Sequence, residues 1–108
     1  MVCYVYLMRD GEGRIKIGKS KDPQARAKYI SYAYCRVELI WFLECKDATR
    51  TERAMHNRFR QYHITHEWFG LPDDVIEWVK AQTEEALCEG YNGGGGRPGA
   101  WYTNDRWL

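Results

Sequence analysis

Four side chains in the first half of the chain have the chemistry to cut a phosphodiester: the phenol of Tyr6, the ammonium of Lys16, the guanidinium of Arg26 and the carboxylate of Glu52. The first two sit on short segments that read as a hairpin. Cys3-Tyr4-Val5-Tyr6-Leu7-Met8 favours strand by its β-branched and aromatic content. Asp10-Gly11-Glu12-Gly13 is a turn signal, and residues 14–18 pair back. Side chains alternate faces along a strand, so packing Ile15 and Ile17 against Val5 and Leu7 leaves Tyr6 and Lys16 side by side on the opposite face. Gly18 leaves room there for a backbone or a phosphate to approach closely. Taken alone, an aromatic residue and a lysine on a half-exposed strand face are commonplace; the residues that follow give them weight.

Asp22-Pro23 starts a helix, with Asp as N-cap and Pro at the first helical position, and the helix runs to about Tyr32. Arg26 is its fourth residue. Most such arginines are solvated; the functional reading aims the guanidinium at a scissile phosphate, where charge builds in the transition state. Glu52 carries two readings of equal weight. Thr49-x-x-Glu52 fits a capping box at the start of a second helix, which continues to about Tyr62. Yet Glu52, Met55, His56 and Phe59 fall on one helical face. A buried acid and histidine need partners, and a Mg²⁺ ion held by one carboxylate, waters and phosphate oxygens would supply one. His56, His63 and His66 have no cysteine in register, which argues against a transition-metal site.

The remaining elements must position these groups. Residues 36–45 form the strongest strand, whose apolar middle predicts a central, covered place in the sheet. His66-Glu67-Trp68-Phe69 reads as a short edge strand or an extended turn. Pro72-Asp73-Asp74 opens a third helix that ends at Glu89-Gly90. The predicted order is β-β-α-β-α-(β)-α, an α+β fold in which helices flank a three-stranded, mainly antiparallel sheet. The domain spans residues 1–89. Residues 90–108 form a Gly-rich linker and an aromatic tail, with Trp101, Tyr102 and Trp107 expected to dock on the domain or on a second copy, giving a homodimer.

At 108 residues the chain is one domain. It shows no membrane-spanning run and no leader, so a cytoplasmic setting is expected. Cys3, Cys35, Cys45 and Cys88 are scattered without C-x-x-C spacing and are expected to be reduced and mostly buried. The net charge of +1 hides an asymmetry: residues 1–60 hold 13 Lys/Arg against 7 Asp/Glu, and residues 61–108 hold 3 against 8. The basic half is the half with the candidate site, so an anionic partner, and nucleic acid first, is expected there.

Tyr4-Val5-Tyr6, Lys16-Ile17-Gly18, Arg26, Glu52-Arg53-Ala54-Met55-His56, Phe59 and Glu67-Trp68-Phe69 together resemble the GIY-YIG endonuclease superfamily, in its compact phage-associated branch, over roughly residues 3–80. The resemblance implies a DNA endonuclease using Mg²⁺ or Mn²⁺. Tyr6 would act as general base on the attacking water, Arg26 would stabilise the pentacoordinate phosphate, Glu52 would bind the metal, and His56 would be a supporting group or proton relay. Lys16 departs from the pattern, which usually has tyrosine there; its ammonium is expected to favour the phenolate and lower the Tyr6 pKa. The alternative is a nucleic-acid-binding or protein-interaction module of phage or mobile-element origin with weak chemistry.

Overall fold

The computed structural model describes residues 2–92. The expectations for the tail and for a tail-driven dimer lie outside the described residues. The first hairpin forms as the alternation predicts: β1 (Cys3–Asp10) pairs antiparallel with β2 (Ile15–Ser20), Tyr6 opposite Gly18 and Met8 opposite Lys16. The turn is fixed by Asp10, whose carboxylate accepts from the backbone N–H groups of Glu12 and Arg14 and from the Arg14 guanidinium. Burial favours the charged Asp10 least, but these donors outweigh it and hold its carboxyl below the ordinary range.

Three strands become five. The sheet order is β3-β1-β2-β5-β4 and every pairing is antiparallel. The added strands come from the stretch read as one short strand or turn: β4 (His63–Thr65) and the two-residue β5 (Trp68–Phe69) make a second hairpin against β2. β3 (Val37–Cys45) is an edge strand, not a central one. Its apolar run has another cause. The register shifts between Leu7 and Met8, so that Trp41 faces Leu7 and Leu39 faces Met8, leaving Ile40 as the extra residue of a bulge. Leu39 packs on one side of the sheet, and Ile40 and Trp41 on the other. The bulge, rather than a central position, makes consecutive apolar residues useful.

Helices cover both faces. α1 (Pro23–Ala33) lies over Tyr6, Met8, Val37 and Leu39 through Ala27 and Ile30. On the other face Val5, Leu7, Ile15 and Ile17 meet Met55 and Phe59 of α2 (Ala48–Arg58), Ile76 and Val79 of α3 (Asp73–Lys80) and Leu87 of α4 (Glu84–Cys88). The third predicted helix is thus two, broken where Thr83 caps α4 by accepting from Ala86 N–H at 3.2 Å. α2 stops at Arg58, and a single 3₁₀ turn at Arg60–Tyr62 leads into β4.

The capping box at Thr49 and Glu52 does not form. The helix cap lies two residues earlier, at Asp47, which accepts from Arg50 N–H at 3.0 Å. Glu84 of α4 completes the start by accepting from the N–H groups of Lys46 and Asp47 at 2.8 and 3.0 Å. Glu52 is therefore released from capping. All four cysteines are free, and Cys45 alone among them is buried.

Candidate functional site

The site forms where β2 outruns its neighbour. β5 pairs with Ile15 and Lys16 only, so the outward backbone groups of β2 beyond Lys16 need other partners. Ile17 N–H donates to the carbonyl of Glu67 at 3.0 Å. The carbonyl of Ile17 accepts from His56 Nε2 at 2.9 Å. His56 is buried, and that burial, partly offset by the Ile17 bond, lowers its pKa and keeps the ring neutral. It thus serves as a substitute rung of the ladder and holds β2 in place from the α2 side.

Tyr6 lies fully buried beneath α1 with its ring across Gly18. The space at Gly18 is thus taken by the phenol of Tyr6. A Cβ built on Gly18 would stand 2.5 Å from the Tyr6 hydroxyl oxygen and 2.7 Å from Cζ. The ring is packed in the core, so it cannot yield cheaply. Gly18→Ala is expected to destabilise the fold by about 1–3 kcal/mol through overpacking. Thermal unfolding checks this; an unchanged or higher melting temperature would mean that the Tyr6 ring swings aside without cost.

Arg26 of α1 lies near enough to Tyr6 of β1 for its positive charge to favour the phenolate, so the two elements bring their candidate groups together. Lys16 is buried and its ammonium meets the Glu67 carboxylate at 2.5 Å. That pair changes the expected electrostatics of Tyr6. The Lys16 charge is spent on Glu67, and the phenol pKa is raised, not lowered. Burial is the largest cause; the negative charges of Glu67 and Glu52 add to it, against the opposing pull of Arg26. Tyr6 is a neutral phenol in the free protein.

Glu52 approaches the same place from α2. Burial and the charge of Glu67 push its pKa up to about 8, while Lys19, Lys16 and Arg53 pull it down. Among the described residues no hydrogen bond or ion pair reaches its carboxylate. Tyr6, Lys16, Arg26 and Glu52 therefore influence one another within a single small region. His56 stands behind it, supporting the backbone of β2.

Glu67 has no role in the sequence reading beyond its place in the Glu67-Trp68-Phe69 segment. It follows His66, whose φ of 53° is left-handed, a conformation uncommon for a residue other than glycine. The turn is held by His63 Nε2–H donating to the His66 carbonyl at 2.8 Å and by a 3.0 Å bond between Thr65 Oγ1 and His66 Nδ1. This directs the Glu67 side chain to Lys16 and its carbonyl to Ile17, and places Trp68 against the Arg14 guanidinium, 5.4 Å from the ring centre. The acidic-aromatic pair in the sequence was the available signal.

A divalent cation is compatible with these residues on the chemistry of the donors. A half-buried carboxylate, without protein donors and resisting ionisation beside a second carboxylate, gains from a hard cation. Among the described residues no cluster of three or more His, Cys, Asp or Glu side chains is gathered for a metal. A site here would rest on Glu52, water and substrate oxygens. Among those residues no helix is long and apolar enough to cross a membrane.

Comparison with curated proteins and with solved structures returned no match. The family model described as T5orf172 domain, a phage-associated domain found in some nuclease-like proteins, matches residues 1–84, a stretch that contains both hairpins and every residue of the candidate site. On that match the chain belongs to the T5orf172 domain family.

Proposed function

We propose that the protein is a metal-dependent endonuclease of the GIY-YIG type that hydrolyses DNA phosphodiester bonds. The observation that carries this reading is that Arg26 and Glu52, from helices on opposite faces of the sheet, both lie near enough to Tyr6 to act on its ionisation. Structural packing alone has no use for a carboxylate held half-buried without donors, and such perturbed groups cluster at functional sites.

In this reading the phosphate enters beside Arg26, whose guanidinium stabilises the charge that accumulates on the non-bridging oxygens. After the phenol has lost its own proton to solvent at alkaline pH, Tyr6 receives, as the phenolate, a proton from the attacking water. Glu52 would hold Mg²⁺ or Mn²⁺, which would supply positive charge for the leaving oxygen. A cation held there would also offset one of the two carboxylate influences that keep the phenol protonated. Lys16 and Glu67 position the β2 and β5 backbones on either side, and His56 fixes the Ile17 carbonyl.

The test is incubation of the purified chain with supercoiled plasmid. Nicked and linear products are expected with Mg²⁺ or Mn²⁺ and not with EDTA. Intact plasmid under all conditions, with binding retained, would establish the second reading: a nucleic-acid-binding module without turnover, which the neutral state of Tyr6 favours.

A further inference from the structure

Beside the candidate site, on the α1 face, lies a cavity of about 750 Å³. It is lined by Tyr29 and Tyr34 from α1 and its C-terminal end, Trp68 from β5, and the cations Arg14, Lys16 and Arg26. Among the described residues no carboxylate side chain lines it. On the other side of Arg26 and Tyr29 lies a second concavity of about 470 Å³, lined in part by Lys19, Ser20 and Lys21. Arg26 and Tyr29 border both hollows.

We propose that the larger cavity receives an unpaired nucleobase next to the scissile phosphate, so that the substrate is a single strand, or a duplex with an extruded nucleotide, rather than regular duplex DNA. The inference deepens the nuclease reading and rests on its placement of the phosphate at Arg26. Tyr29 and Tyr34 are 56% and 64% exposed, although aromatic surface is costly to leave in water. They stand edge to face, 6.0 Å apart, which fixes their rings for a ligand. Trp68 is braced by Arg14, which Asp10 in turn holds. A base has an apolar π-face for these rings, and its phosphate is an anion for Arg26, since Lys16 and Arg14 are paired with Glu67 and Asp10. The volume lies within the range of small-ligand pockets. The second hollow, with Lys19 and Lys21, continues the strand's path past Arg26.

The experiment measures binding in EDTA, where no hydrolysis occurs. Fluorescently labelled probes are a 12-nucleotide single strand, the same sequence as a blunt duplex, and that duplex with one bulged nucleotide; thymidine monophosphate is the competitor. The single strand and the bulged duplex are expected to bind at least tenfold more tightly than the blunt duplex. Y29A/Y34A, changes at exposed positions, should cost those two probes about tenfold or more, on the scale of lost base stacking, and the blunt duplex less than twofold. Trp68→Leu, with its folding checked by circular dichroism, should do the same. Equal affinity for all probes, or equal losses across them, overturns the proposal. Displacement by thymidine monophosphate at concentrations comparable with the strand also overturns it, because the pocket would then serve a free nucleotide. A chain that binds with this preference but never nicks DNA removes the nuclease reading and leaves the pocket. A chain that nicks plasmid while binding all probes alike does the reverse.

Discussion

Replacing Glu52 with Gln is expected to abolish metal-dependent nicking and at the same time to make the protein harder to unfold at alkaline pH. The two effects have one origin. Glu52 resists ionisation in the fold, with a pKa pushed up to about 8 from an ordinary 4.5, mainly by burial and then by Glu67. Between those values the folded chain holds a proton that the unfolded chain has released. Stability therefore falls as pH rises from about 4.5 to about 8, and the loss is complete above that. The cost is on the order of a few kcal/mol. Gln keeps the shape and carries no charge, so it escapes the cost. A gain of roughly 5–10 °C in melting temperature is expected at pH 8.5, and almost none at pH 5. Nicking should vanish, because a neutral amide is a poor ligand for a hard cation. Mg²⁺ should raise the melting temperature of the wild type, more at pH 8.5 than at pH 6, and leave Glu52→Gln unmoved. If the variant cuts as fast as wild type, Glu52 does not hold the metal. If the variant and wild type melt at the same temperature at both pH values, the carboxylate is solvated.

That conflict between stability and charge was only half visible in the sequence. The two-residue period of a strand placed Tyr6 and Lys16 on the face away from Ile15 and Ile17, and the register agrees. Arg26 followed from the Asp22-Pro23 start, which forms with Asp22 accepting from Ala25 N–H. Local patterns then met long-range partners that they could not contain. Thr49 and Glu52 fit a capping box, but Asp47 takes the cap and Glu84, 37 residues away in the chain, secures it. Lys16 was expected to serve Tyr6, but Glu67, 51 residues on, captures it. β5 is two residues long, too short for periodicity to register. Yet where it stops decides why β2 has open backbone groups and why His56 is needed. The edge position of β3 was hidden because a bulge and a buried strand both produce an unbroken apolar run.

Tyr6→Phe is expected to lower turnover by about 10²–10⁴-fold, the usual cost of losing a general base, with DNA affinity in EDTA nearly unchanged. Phe fills the same volume over Gly18, so β1, β2 and α1 keep their places. What disappears is the hydroxyl beside Arg26. The pH dependence separates the roles. Burial, Glu67 and Glu52 hold the phenol neutral, so the wild-type rate should climb with pH through the alkaline range as the reactive phenolate becomes populated. Without the hydroxyl that climb should be gone, and the small residual rate should follow hydroxide alone. A variant that cuts within twofold of wild type, with the same alkaline limb, would remove Tyr6 from the chemistry. Unchanged turnover with weakened binding would make Tyr6 a contact for the phosphate through Arg26, and the protein a DNA-binding module whose cutting depends on some other group. Single-turnover rates across pH 6–10, paired with anisotropy titrations in EDTA, distinguish these results because they read the chemical step and the affinity separately.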